Sequence, residues 1–150
     1  MRITKLLFFC FPVLAAAVLT LAVTGCKSSK GEDPKTASGL PEVTLRARTA
    51  NEVQAVAREF FVTRGYFEKQ SKHAYEVVFD KPVKSGKSSK ALRVRLRLHK
   101  QADGSWRLTG TPMGVEAWRS DLESEDMVPQ GASQIQGFLV EIKNRVESGQ

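Results

Sequence analysis

Cysteine and histidine are scarce in this chain, with two of each among 150 residues. That supply cannot build a disulfide-stapled scaffold, a cysteine-rich zinc module or a histidine-cluster metal centre. A glycine-rich phosphate loop is also missing: Ser85-Gly86-Lys87-Ser88 has the Gly-Lys-Ser triplet without the upstream glycine that a nucleotide cradle requires. The acids Asp121, Glu123, Glu125 and Asp126 lack the spaced Asp/Asn and central Gly of a calcium loop. No cofactor and no metal is therefore expected. What the chain does have is an ordinary globular balance, 41% hydrophobic and 26% charged, in a length that fits about one domain.

The N-terminus is organised as an export sequence. Arg2 and Lys5 form a basic start, and Leu6 to Val23 is uncharged and about long enough to span a bilayer if retained. Val23-Thr24-Gly25-Cys26 follows, and a polar break at Lys27-Ser28-Ser29 ends the segment. This arrangement over residues 1–26 resembles the lipobox of bacterial lipoproteins, with Pro12 in the apolar run as a departure. The resemblance implies a signal peptide over residues 1–25, removal of Cys10 with it, and lipidation of Cys26 as the new N-terminus. Two or three acyl chains hold a protein on a membrane where one does not, because each buried methylene contributes about 0.8 kcal/mol. Lys27 stands where enterobacterial lipoproteins kept at the inner membrane carry Asp, so the resemblance points to the outer membrane, facing the periplasm, in a Gram-negative cell. A cell-surface lipoprotein of an organism with one membrane is the other reading.

Residues 26–41 read as the lipidated cysteine and a flexible tether, polar and broken by Gly31, Pro34, Gly39 and Pro41. Fifteen flexible residues average about 20 Å end to end, which keeps the domain near the membrane surface. Loss of Arg2 and Lys5 with the leader lowers the formal charge from +7 to +5. The remaining charge is uneven: residues 81–107 hold nine Lys or Arg against Asp103, and residues 116–126 hold five acids against Arg119.

Residues 42–150 read as one α+β domain. Glu42 to Arg48 alternates as a strand, and Thr49 with Glu52 forms a capping-box pattern before a helix. Val53, Val56, Ala57, Phe60 and Phe61 share one face of that helix, and Gly65 is its terminator. Ala74 to Asp80, Ala91 to Lys100 and the segment around Trp106 to Thr109 alternate as three consecutive antiparallel strands, with Asp103-Gly104 as a tight turn. Thr111 to Gln130 reads as a strand extension through Val115 to Trp118 and then an acidic loop. The last helix carries Ile135, Phe138, Leu139, Ile142 and Val146 on one face, with Ser133 as N-cap. The order β-α-β-β-β-α predicts a two-layer sandwich, an antiparallel sheet with two helices on one face and water on the other. Phe60, Phe61, Phe67, Phe79, Trp106 and Phe138 are assigned to the core, and Trp118 beside Arg119 is read as core packing too, with an exposed contact surface or membrane-touching edge as the alternative.

The wet face carries the candidate site. Arg93, Arg95 and Arg97 lie about 7 Å apart along one side of a strand, and Arg107, Arg46 and Arg48 are candidates to join them from neighbouring strands. Planar guanidinium forks suit phosphates and carboxylates, so an anionic lipid or an acidic envelope protein is the expected partner. The competing reading is a solvated strand face, partly neutralised by Glu76 and Asp80 across the hairpin. The α-β-β-β-α order from residue 50 is similar to that of double-stranded-RNA-binding domains, whose last helix opens on a lysine cluster. Gln130 to Gln134 holds no lysine, and nucleic acid is not expected. His73 and His99 sit in no metal or nucleophile motif, and His99 reads as a surface residue. The expectation is a membrane-anchored envelope lipoprotein whose domain binds or scaffolds rather than catalyses. The alternative is an envelope hydrolase using the acidic segment 116–126.

Overall fold

The computed structural model describes residues 35–47, 49–83 and 89–149. Residues 1–34, with the export segment and Cys26, and Arg48 lie outside the described residues. The elements are β1 (Glu42–Leu45), α1 (Ala50–Val62), β2 (Phe67–Lys69), β3 (Glu76–Val83), β4 (Lys90–Lys100), β5 (Trp106–Glu116), β6 (Ser124–Met127), a short 3-10 turn at Pro129–Gly131, and α2 (Ala132–Ser148).

The fold is the expected α+β architecture, an antiparallel sheet with both helices on one face. Strand order is β1-β5-β4-β3-β2, and β6 also pairs with β5. The long β5 has β4 along one side, whereas its other side is shared: β1 takes Trp106 to Thr109 and β6 takes Met113 to Glu116. Two short edge strands, β2 and β6, thus arise from segments whose charge gave no alternating signal.

Alternation decides which side chains go inside. Val77, Phe79, Val94, Leu96, Leu98, Trp106 and Leu108 point to the helices and are buried. Helix α1 brings Val53, Ala57, Phe60 and Phe61 against them, and α2 brings Ile135, Leu139, Ile142 and Val146. Phe61 is the hub, stacked on Phe79 at 4.6 Å and edge-on to Tyr66 at 5.1 Å. The sheet and α2 approach so closely at Gly110 that a Cβ there would lie 2.5 Å from Ile135 Cγ2. Only a residue without a side chain allows that spacing.

Local signals act as the sequence implies at three places. Thr49 Oγ1 accepts from the Glu52 backbone N–H at 3.3 Å and caps α1. Gly65 and Gly104 adopt φ of 77° and 82°, the left-handed region that favours glycine. Three expectations need correction. Helix α2 begins at Ala132 after the 3-10 turn, so Ser133 lies in its first turn and provides no cap. Phe67 is 53% exposed on edge strand β2, since it pairs with Asp80 and lies on the face away from the helices, beside Trp118. Pro41, placed in the tether, is buried and its carbonyl accepts from Gly110 N–H at 2.9 Å, so the fold begins before β1.

The outer edge of β1 is covered by side chains of α2. Gln136 exchanges two hydrogen bonds with the Glu42 backbone, at 2.9 and 3.0 Å, and Glu147 accepts from Arg46 N–H. An exposed ladder edge is thereby closed to further strand pairing.

Candidate anion site on the open sheet face

The face away from the helices is not uniformly wet. Strand register places Asp80 opposite Arg93, Val78 opposite Arg95 and Glu76 opposite Arg97. At the Arg93 end the chain leaving β5 turns back over the sheet as a loop, Ala117 to Glu123, before β6. On this face Arg93, Asp80, Val78, Ala91 and Val115 are all buried. The expectation of a fully solvated face fails here because the acidic segment folds onto the arginines instead of into water.

Arg93 is the centre of this cover, with 1% of its surface exposed. Its Nε and Nη2 donate to both Asp80 oxygens at 2.6 and 2.7 Å, a fork on a fork. Its Nη1 donates to Glu123 at 2.8 Å and to Glu125. The hydrogen bonds to Asp80 raise its pKa above the ordinary value against the opposing effect of burial, with Glu123 and Glu125 adding to the rise. Trp118 completes the cover, its indole N–H donating to Asp80 Oδ2 at 2.9 Å, and Arg119 lies over the indole ring.

Glu123 is held from three directions. Lys69 Nζ donates to it at 2.6 Å, Arg93 at 2.8 Å and the Arg119 backbone N–H at 3.1 Å. The Arg93 hydrogen bond foremost, then Lys69 and the Arg119 amide, outweigh burial and bring its carboxyl down to about 2. Its charge therefore stabilises the fold fully above the ordinary carboxylate range, and that contribution is lost as pH falls toward 2. Allowing for the water that reaches this loop, we expect about 1–2 kcal/mol of acid-labile stability from this group. Denaturant unfolding of wild type and Glu123→Gln between pH 6 and pH 3 checks it, the gap closing toward acid; a gap independent of pH would overturn it.

Along the ladder the cover thins. Arg95 is 29% exposed and pairs with Glu125 at 2.8 Å, and Arg97 is 51% exposed and pairs with Glu76 at 2.6 Å. Burial works to raise the Glu76 carboxyl, but hydrogen bonds from Arg97 and Ser71 and the nearby Arg95 charge leave it below its ordinary value. Four carboxylates, Glu76, Asp80, Glu123 and Glu125, thus pair with four cations, Lys69, Arg93, Arg95 and Arg97. The expected neutralisation by Glu76 and Asp80 is present, and Glu123 and Glu125 extend it.

The Arg97 end carries charge outside this neutral set. Lys72, His73, His99 and Arg97 line an open groove of about 520 Å³. Arg107 faces His99 across the β4–β5 register, and its Nε is buried without a hydrogen-bond partner among the described residues. Arg46 is exposed just past the end of β1, in a separate depression with Asp103. The six arginines therefore divide: Arg93 is tied down, Arg95 is paired through Nη2 while its Nε is buried without a hydrogen-bond partner among the described residues, Arg97 and Arg107 stand on neighbouring strands toward the open end, Arg46 is apart, and Arg48 is outside the described residues. Sequence reasoning did not find Lys69, Lys72 or Trp118 as members of this face, since they come from an edge strand and two loops.

Among the described residues no group of His, Cys, Asp and Glu is placed to hold a metal ion, and no helix is long and apolar enough to cross a membrane. The class defined by fold and face is a small two-layer α+β domain with a charge-compensated arginine ladder on its open side. No protein-family model and no curated protein matches the chain.

Proposed function

We propose that this chain is a lipid-anchored protein of the bacterial cell envelope whose domain binds rather than catalyses, engaging an anionic group at the Arg97 end of its sheet face. The anchor rests on the lipobox resemblance at Val23 to Cys26, and Lys27 favours the outer membrane. The observation that carries the binding reading is that Arg107, like Arg95, has a buried Nε–H without a hydrogen-bond partner among the described residues, on the same sheet face as half-exposed Arg97. A buried donor without an acceptor costs about 1–3 kcal/mol, which a phosphate or carboxylate oxygen would recover where the side chain turns that N–H outward on binding. A domain tethered within about 20 Å of a membrane meets such groups on anionic lipids first. The engagement of Glu123 and Glu125 with arginines supports binding over hydrolysis. A general acid at neutral pH needs a raised carboxyl, and Glu123 is moved the opposite way.

Two measurements test the reading. Palmitate should label the full chain and not Cys26→Ser; equal labelling removes the anchor. Fragment 27–150, which contains the whole described core, should sediment with phosphatidylglycerol vesicles more than with phosphatidylcholine vesicles, in a salt-sensitive manner. Arg97→Ser with Arg107→Ser should reduce that binding on the order of tenfold, since two phosphate contacts are lost. Undiminished binding by the double variant, or none by wild type, would end the lipid reading and direct the search to an acidic protein partner.

A further inference from the structure

The covered end of the ladder has the makings of a second anion site that is already filled from within. One carboxylate, Glu123, receives a lysine ammonium, an arginine Nη and a backbone N–H, at 2.6, 2.8 and 3.1 Å. A lysine ammonium and one arginine Nη, joined by a main-chain amide of the loop, are donors suited to a tetrahedral oxyanion as much as to a carboxylate. The loop that delivers Glu123 is held by few and polar contacts. Apart from Glu123, it is held by the Trp118 indole N–H on Asp80 and by the Trp118 backbone N–H on the Ser89 carbonyl at 2.9 Å beside β4, while Leu122 at its tip is 83% exposed. Its backbone is strained on both sides of Trp118: Ala117 and Arg119 adopt φ of 49° and 63°, positions that cost non-glycine residues about 1 kcal/mol or more each. Strain of this kind persists only while the surrounding contacts hold it, and release of Glu123 would relieve it.

We propose that the loop Ala117 to Glu123 is a latch, with Glu123 as the internal occupant of a phosphate-binding site formed by Lys69 and Arg93 and closed over by the loop's own Arg119 amide. A phosphate monoester, free or on a lipid, displaces the carboxylate and frees the loop. This deepens the reading of the sheet face as an anion-binding surface and rests on it, but uses other residues than Arg97 and Arg107. Because β6 keeps its pairing with β5, Glu125 stays in place and only Glu123 must leave.

The chain contains two tryptophans, Trp106 in the core and Trp118 on the latch, so opening has its own fluorescence signal. Full-length protein in mild detergent would be titrated with inorganic phosphate, with short-chain phosphatidic acid, and with short-chain phosphatidylcholine as control. Expected is a red shift of the Trp118 emission that is absent in Trp118→Phe. In Glu123→Gln, half-saturation should come at a phosphate concentration lower on the order of tenfold, since one charge-assisted competitor is gone. Asp121→Asn removes the same charge from the same exposed loop and should titrate as wild type does. A response to both anions assigns the site to phosphate monoesters in general, and a response to phosphatidic acid alone assigns it to the lipid. Equal half-saturation in wild type and Glu123→Gln, or an equal gain in Asp121→Asn, overturns the latch while the Arg97–Arg107 reading stands on its vesicle result. In Glu123→Gln, whose loop is already released, phosphate binding is read by the phosphate-dependent rise of the unfolding midpoint, and no rise, with the transition itself intact, overturns the site.

Discussion

Replacement of Arg93 by alanine should lower the stability of the domain by about 3–5 kcal/mol, the cost of leaving buried charge without its partner. Asp80, itself buried, loses both of its arginine hydrogen bonds, and Glu123 and Glu125 lose theirs at the same time. Arg97→Ala removes the same kind of residue four positions along the same strand, yet should cost no more than about 1 kcal/mol, because its pair with Glu76 is half in water. The comparison separates position from chemistry. Denaturant unfolding of the two variants at neutral pH provides the check, and an Arg93→Ala variant within 1 kcal/mol of wild type would show that the network is not holding the face together. Asp80→Asn leaves the shape and should fall between the two.

The second large effect belongs to the core. Phe61 is fully buried and touches Phe60, Tyr66, Phe79 and Phe138, the last from α2, so it joins both helices to the sheet. Phe61→Ala should cost about 3–5 kcal/mol through lost transfer energy and the cavity left behind. Phe67→Ala, on the exposed edge strand, should change stability by less than about 1 kcal/mol. Thermal unfolding reads both, and equal shifts would contradict the assignment of Phe61 as hub. The difference also marks where sequence reading misplaced a side chain: hydrophobicity alone put both phenylalanines inside.

How far the face was legible depends on distance along the chain. The ladder Arg93-Arg95-Arg97 and its facing acids Glu76 and Asp80 follow from period-two alternation in two adjacent strands, and register confirms the pairing. Glu123 and Glu125 lie thirty and thirty-two residues from Arg93 in the contacts they make. No periodicity relates them to it, and a run of acids beside Pro and Gly reads locally as a solvated loop. Lys69 and Trp118 were hidden for the same reason. Arg93 and Arg97 are identical in sequence terms, being alternate positions of one regular strand, and they differ only in what crosses over them.

From the order of residues alone came the faces of the strands and helices, the caps at Thr49 and the turns at Gly65 and Gly104, because each is set by contacts within a few residues. The export and lipidation reading of residues 1–26 likewise rests on local pattern alone. The return of the acidic loop over Arg93, the sharing of one β5 edge between β1 and β6, and the split of the arginines into buried and open ends were decided by the tertiary structure. Each of these depends on long-range pairing between charges or backbone groups, and such pairing is chosen by the folded geometry rather than by any neighbouring residue.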